Sequence, residues 1–469
     1  MKKKKFKLMD AILGTVCLTL VCESVMPTAA IGNTQYFWWI FLLIAFCLPY
    51  GMITAELGTA YPSEGGMYDW VKRAFGPKWA GRVAWNYWIN FPLWIASLAV
   101  AVTDIFAGMI GVELNIWVLL AMQLAYVWLV TFLGTKRVGE SKWVVNLGTV
   151  CKVILLLGIG GLGIYSVLKT GHSANPITSV KDLFPALNLE NLSFISIILF
   201  NFMGFEVVGT WVGDMENPKR DIPKALIIGG LLMAAFYILP ATGFNIALSP
   251  EVVASLDPEN VVEVLSALFN SIEMGPEIAR LFIIIAGYMF IYTFIANIAS
   301  WSFGVNEVAK YAAEDGSMPK AFTKTNKEGV PYKASIINGI VASIIVIFGV
   351  IANLISEDFG AGFSLFFCLS WITLLIGYIP MFLAFLKLRK TDSNTKRVYK
   401  VPGNDFVLKI ATYVPFVILI LGIVFTLFGD FSKEFIMESI PLYAGVILSF
   451  ICEEILVARI KTNKKEVKK

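Results

Sequence analysis

The sequence predicts an all-α polytopic membrane protein with twelve transmembrane helices. Three observations predict it. Of the 469 residues 57% are hydrophobic and only 15% charged, against about 25% charged in a typical soluble domain. The mean hydropathy is +0.72. The apolar residues also fall into runs long enough to cross a hydrocarbon core of about 30 Å, which takes roughly 20 helical residues. This balance excludes a multidomain soluble enzyme. The net charge of +4 is spread over short clusters between apolar runs, with no basic face for nucleic acid.

Twelve such runs follow in order. They cover approximately Leu8 to Ala30, Phe37 to Ala60, Val83 to Ile110, Ile116 to Gly134, Trp143 to Leu168, and Phe194 to Val212. The second half continues with Ala225 to Ile246, Ile278 to Val308, Ala334 to Ile355, Gly362 to Leu386, Phe406 to Phe428 and Ile440 to Val457. Each must be helical, because lipid offers the backbone no hydrogen-bond partner. The basic start, MKKKKFKLMD, resembles a signal peptide, but no convincing cleavage site follows and the run reads as a retained first span. The chain is expected to form one polytopic domain over 1–469.

Orientation follows from charge. With the N-terminus inside, all but Lys152, Lys169, Lys181, Arg280 and Lys433 of the 38 Lys and Arg residues fall on the inner side. The positive-inside rule therefore predicts a multi-pass plasma-membrane protein with both termini cytoplasmic. The longest outer loop, near Ser249 to Pro276, carries Glu251, Asp257, Glu259, Glu263 and Glu273 and reads as a solvated segment or short helical cap. The six cysteines lie in apolar stretches without a CxxC, which supports neither a disulfide framework nor a zinc site. No cofactor, metal or nucleic-acid partner is expected. The partners are a small-molecule substrate and the lipid bilayer, with a monomer and a homodimer equally open.

Charged groups near the bilayer centre cost about 2.5–3.5 kcal/mol on insertion scales, so each needs a reason to be there. Glu23, Glu56, Asp104, Lys152 and Glu206 are such groups. Glu23 stands in Val21-Cys22-Glu23-Ser24-Val25-Met26-Pro27, where Pro27 removes a backbone donor. A helix break is expected there, with a carboxylate placed to hold a cation. Glu206 stands in Asn201-Phe202-Met203-Gly204-Phe205-Glu206, a second interrupted span. Two interrupted spans in corresponding positions point to a substrate site between them. Lys152 lies about ten residues into its span, roughly 15 Å deep, where snorkelling cannot free it. Glu56, near the inner end of the second span, reads as structural. No role is assigned to Asp104. The single histidine, His172, falls in an outer loop.

Most of the aromatic side chains read as interface belts or packing. Trp94, Phe200 and Trp301 are the candidates to face the interruptions, where a ring face attracts an organic cation by about 0.5–2 kcal/mol. No Ser/His/Asp or Cys/His set and no phosphate loop suggests an enzyme.

Three blocks carry a family resemblance. Ala55-Glu56-Leu57-Gly58-Thr59-Ala60-Tyr61-Pro62 with Glu64-Gly65-Gly66-Met67-Tyr68 follows the second span. Gly204-Phe205-Glu206 with Glu216-Asn217-Pro218-Lys219-Arg220-Asp221-Ile222-Pro223 follows the sixth, and Ala309-Lys310-Tyr311-Ala312-Ala313-Glu314-Asp315-Gly316 the eighth. With these blocks the chain resembles the amino acid/polyamine/organocation (APC) superfamily, and within it the bacterial arginine/agmatine and agmatine/putrescine exchangers. The resemblance implies a LeuT-type fold, with helices 1–5 (about 8–168) and 6–10 (about 194–386) related by inversion and helices 11–12 (about 406–457) appended.

The resemblance also implies roles. Trp301 falls at a substrate-stacking tryptophan, Phe200 at an aromatic gate and Glu206 at a glutamate linked to gating, while Asn90, Phe91 and Trp94 would line helix 3. With Glu23 from the residue reading above, the expected substrate-binding set is Glu23, Val25, Asn90, Trp94, Phe200, Asn201, Glu206 and Trp301. Lys152 and Glu206 would serve coupling or gating. Lys152 resembles the lysine near the vacant sodium site of sodium-independent members, which disfavours sodium coupling. One departure matters. Where amino-acid carriers of the superfamily usually have Gly-Ser-Gly to hold an α-carboxylate, this chain has Glu23-Ser24-Val25 or Pro27-Thr28-Ala29. A negative charge there repels a carboxylate, so the expected cargo is an amine without one, exchanged by alternating access. The rival expectation is an amino-acid permease or an amino acid/amine antiporter.

Overall fold

The protein was described from a computed structural model covering residues 8–9, 12, 19–22, 25–136, 138–185, 189–204, 216–257, 260–355, 362–429 and 433–460. Every regular element among the described residues is helical. Among the described residues, ten helices are long and apolar enough to cross a membrane. The first and sixth expected spans each fall partly outside the described residues.

The helices are α1 (Thr28–Ala60), α2 (Met67–Phe75), α3 (Pro77–Ile110), α4 (Ile116–Gly134), α5 (Val138–Thr170), α6 (Leu189–Asn201) and α7 (Pro218–Ala247). Two short helices, α8 (Pro250–Ser255) and α9 (Val261–Ser271), form the expected cap in the acidic loop. Then come α10 (Pro276–Glu314), α11 (Tyr332–Ile355), α12 (Phe363–Thr391), α13 (Asp405–Leu427), α14 (Lys433–Glu438) and α15 (Ile440–Ala458).

Local chemistry sets several boundaries. The chain turns into α1 at Gly32, whose φ of 55° and ψ of −138° interrupt the helical run. A side chain there would be strained. Within α1 a π turn spans Leu43–Cys47 just ahead of Pro49. Proline cannot donate to the carbonyl four residues back, and a wider turn absorbs the mismatch. Asn115 caps α4 by accepting from the Trp117 amide at 2.9 Å, and Gly111 ends α3 in the left-handed conformation.

Small residues let backbones touch, as in other membrane bundles. A Cβ on Gly163 of α5 would fall 2.2 Å from the Gly243 carbonyl oxygen of α7. A Cβ on Gly148 would lie 2.2 Å from the Ala296 Cβ, bringing α5 equally close to α10. Polar side chains supply the rest. Trp88 Nε1 donates to Asn338 Oδ1 at 2.6 Å, Asn338 donates to Asn306 at 2.9 Å, and Asn306 donates to Ser335 Oγ at 2.9 Å. Ser335 in turn donates to the Gly134 carbonyl at 2.8 Å. This chain joins α3, α11, α10 and α4. Outside the bundle the surface is apolar: Trp117 is 65% exposed, Phe348 68% and Phe406 70%. Such extensive exposed apolar area suits contact with lipid tails.

Candidate functional site

The two interruptions occur, and they meet. Thr19 is helical, Leu20 and Val21 are not, and 3₁₀ geometry resumes at Cys22. The helical run is thus interrupted at Leu20, Val21 and Val25, on either side of Glu23 and Ser24 in sequence. Pro27 occupies the first turn of Met26–Thr34, where a missing N–H costs no helical bond. The second break follows α6. Phe202 and Met203 donate to the Leu199 and Phe200 carbonyls at 2.9 and 3.0 Å in a closing turn, and Gly204 departs at φ 105°. A Cβ on Gly204 would stand 3.0 Å from Thr19 Cγ2 and 3.0 Å from Trp301 Cζ2. Glycine is needed here twice over, for its conformation and for its lack of a side chain. The ends of both interrupted helices therefore converge on the ring of Trp301 from α10.

Glu23 and Glu206 lie outside the described residues. In sequence they stand four residues after Thr19 and two after Gly204.

The three aromatic candidates come together. Trp94 meets Trp301 edge-on at 5.9 Å and 87°, and Phe200 at 6.3 Å and 79°. All three side chains are buried. Two further rings complete the wall from α12: Phe367 is 5.1 Å from Phe200 and Trp371 is 6.4 Å from it. The sequence reading missed both. Their signal was the four-residue spacing of Phe363, Phe367 and Trp371 along one helix face. The indole N–H groups of Trp94 and Trp371 are buried without an acceptor among the described residues. Each such group costs roughly 1–3 kcal/mol.

Asn90 donates to the Tyr87 carbonyl of its own helix, one turn before Trp94. The Val25 carbonyl accepts from Thr28 Oγ1 at 2.6 Å, and Val25 is buried. Asn201 is fully buried at the end of α6. Lys152 is 1% exposed, and its ammonium donates to Asn297 Oδ1 of α10. Asn297 stands one helical turn before Trp301, so the buried cation and the aromatic wall share a face of α10. Asp104 is exposed on α3, and His172 is exposed beyond α5.

Glu56 has the structural role expected of it, with more partners than one side chain predicts. It is 1% exposed and accepts from Arg389 Nε at 2.6 Å and Nη2 at 2.5 Å. Arg397 Nε lies 3.0 Å away, and the Val401 amide donates at 2.7 Å. The carboxylate locks the end of α1 to the segment following α12. Glu453, a buried acid of α15 that the sequence reading passed over, accepts from Asn86 at 2.6 Å and pairs with Arg82 at 3.5 Å.

Two of the sequence blocks also prove to be one contact. Tyr68 of α2 donates to Ser317 Oγ at 2.8 Å and lies 3.1 Å from Asp315 Oδ2, while Lys72 reaches Asp315 at 2.6 Å. A Cβ on Gly65 would meet the Tyr311 ring at 2.6 Å. Burial pushes the Tyr68 hydroxyl far above the usual phenol range, so it stays protonated and able to donate. The end of α10 is thereby latched to the connection between α1 and α3.

Among the described residues, ten apolar helices and a buried aromatic wall set where two interrupted helices meet form the kind of architecture that polytopic membrane transporters use. The chain matches the amino acid permease family over residues 6–451 and belongs to it. It is 43% identical to a Lactococcus lactis (strain IL1403) protein described as a probable agmatine/putrescine antiporter, AguD, over 97% of this chain and 95% of the relative. It is 26% identical to an uncharacterized transporter of Legionella pneumophila over 90% and 89% of the two chains. The lysine-specific permease LysP of Lactococcus lactis subsp. cremoris is 25% identical over 84% of this chain and 77% of its own length.

Proposed function

We propose that the protein is a secondary antiporter that exchanges agmatine for putrescine, or a closely similar diamine pair, by alternating access across the plasma membrane. The observation that carries this reading is the convergence of Thr19, Gly204 and Trp301, with Glu23 and Glu206 a few residues beyond the two breaks in sequence. Aromatic faces suit an organic cation, and a carboxylate at the first break suits an ammonium or guanidinium end. The relative described as an agmatine/putrescine antiporter supports the same cargo.

In this reading Glu23 binds one cationic end, and Trp94, Phe200 and Trp301 stack on the carbon chain. Twelve spans form two inverted five-helix repeats with two appended helices, and both termini are cytoplasmic. The α2–α10 latch then lies on the inner side. Exchange of one dication for another moves no net charge. In proteoliposomes, agmatine uptake should require internal putrescine; equal uptake into empty vesicles would rule out obligatory exchange.

An amino-acid cargo is the second reading, favoured by the match to a lysine-specific permease. Displacement of labelled agmatine more strongly by lysine, arginine or ornithine than by putrescine would select it.

Lys152 holds Asn297 on the face of α10 that carries Trp301, and in this reading its charge stands where a coupling cation would. Lys152→Ala should slow exchange by roughly tenfold, about 1.4 kcal/mol in the barrier, with the protein still inserted and folded. A wild-type rate and stoichiometry in reconstituted vesicles would assign Lys152 to structure alone.

A further inference from the structure

The break in the first helix leaves backbone groups that need partners, and one side chain meets two of them. Tyr237 of α7 is fully buried. Its hydroxyl donates to the Thr19 carbonyl at 2.9 Å and accepts from the Val21 amide at 2.8 Å. Thr19 ends the helical stretch and Val21 lies in the non-helical turn, so a single oxygen bridges the point where helical geometry stops. The Tyr237 ring is itself fixed. It stacks on Trp39 at 5.2 Å and 12°, and Trp39 meets Phe202 edge-on at 5.6 Å and 81°. Trp39 and Phe202 are fully buried as well. Phe202 belongs to the turn that ends α6.

We infer that Tyr237 is a positioning residue for the cargo site: its hydroxyl fixes the backbone at Thr19 and Val21, just ahead of Glu23 in sequence, and its ring, through Trp39, ties that backbone to the second break. This rests on the cargo reading above for its functional consequence, but the clip itself is a matter of backbone order. A residue that only filled space would be replaced by phenylalanine at little cost, since the stack survives. Loss of the hydroxyl instead leaves a buried carbonyl and a buried amide unpartnered by it.

The test compares wild-type, Tyr237→Phe and Trp39→Phe full-length protein in lipid nanodiscs and proteoliposomes. In Tyr237→Phe, amide hydrogen exchange over residues 19–22 should quicken by about tenfold. The agmatine concentration for half-maximal exchange should rise by about tenfold, with maximal rate and thermal midpoint near wild type. Trp39→Phe keeps a ring under Tyr237 and both hydrogen bonds, so residues 19–22 should exchange within about twofold of wild type. Unchanged exchange in Tyr237→Phe overturns the clip. Faster exchange with an unchanged half-saturation overturns its role at the site, and equal acceleration in Trp39→Phe traces the effect to the stack and overturns the hydroxyl's part. If Tyr237→Phe is not recovered folded, 3-fluorotyrosine at position 237 keeps the hydroxyl but makes it a stronger donor and a weaker acceptor, so exchange over residues 19–22 should change; unchanged exchange overturns the clip. Wild-type protein that ignores agmatine sinks the cargo reading, while the hydrogen-exchange comparison still decides the clip.

Discussion

Glu56→Gln is expected to destabilise the protein by about 3–5 kcal/mol, the usual cost of removing one partner from a buried ion pair. The geometry explains the size. Arg389 and Arg397 side chains are 13% and 7% exposed and share one carboxylate that is 1% exposed. Glutamine keeps the shape and can still accept from the Val401 amide, but it leaves two guanidinium groups with little water to solvate them. The measurement is the thermal midpoint in detergent, read as loss of the monodisperse peak. Replacing Glu56, Arg389 and Arg397 together by apolar residues of similar volume should recover much of the loss, because no charge is then left buried. A midpoint for Glu56→Gln equal to wild type would show that the triad contributes nothing to stability.

Glu23→Gln is expected to weaken agmatine and putrescine binding by about 10- to 100-fold. That is the equivalent of the roughly 1.5–3 kcal/mol that a hydrogen bond to a charged group contributes. Membrane insertion and the thermal midpoint should be preserved. Isothermal titration in detergent against both amines and their parent amino acids reads the effect. Selectivity is the sharper criterion: loss of the negative charge should hurt dications more than zwitterions, since repulsion of a carboxylate falls at the same time. Unchanged amine affinity would remove Glu23 from the site.

The span pattern was legible because lipid leaves little choice: each crossing must be a helix of apolar residues. Ten of the twelve expected spans appear as helices among the described residues, with ends that depart from the expected ones by as many as nine residues. The aromatic trio was half legible. Trp94, Phe200 and Trp301 were singled out for their nearness to the breaks, whereas Phe367 and Trp371 look like ordinary packing until α12 is seen against Phe200. Pro27 marks the neighbourhood of the first break but not which side of it the proline takes, because a proline that ends one helix and one that begins the next carry the same sequence signal. The partners of Glu56 and the clip by Tyr237 were not legible at all. Arg389 lies 333 residues from Glu56 and Tyr237 lies 216 residues from Val21, and side-chain chemistry alone does not pair groups across such distances. Lys72 and Asp315, 243 residues apart, are likewise brought to 2.6 Å only by the fold.

The glycine contact between α5 and α7 bears on how such a molecule changes shape. Where Gly163 faces Gly243, main chain lies against main chain, with no flexible side chain between them to repack. Sliding one helix along the other would drive the next Cβ into a carbonyl, which close-packed interiors do not absorb gradually. Relative movement of these two rods is therefore confined to swivelling about that point, like blades about a rivet. Lys152 on α5 and Tyr237 on α7 sit on the two blades, so any tilt that repositions one reorients the other.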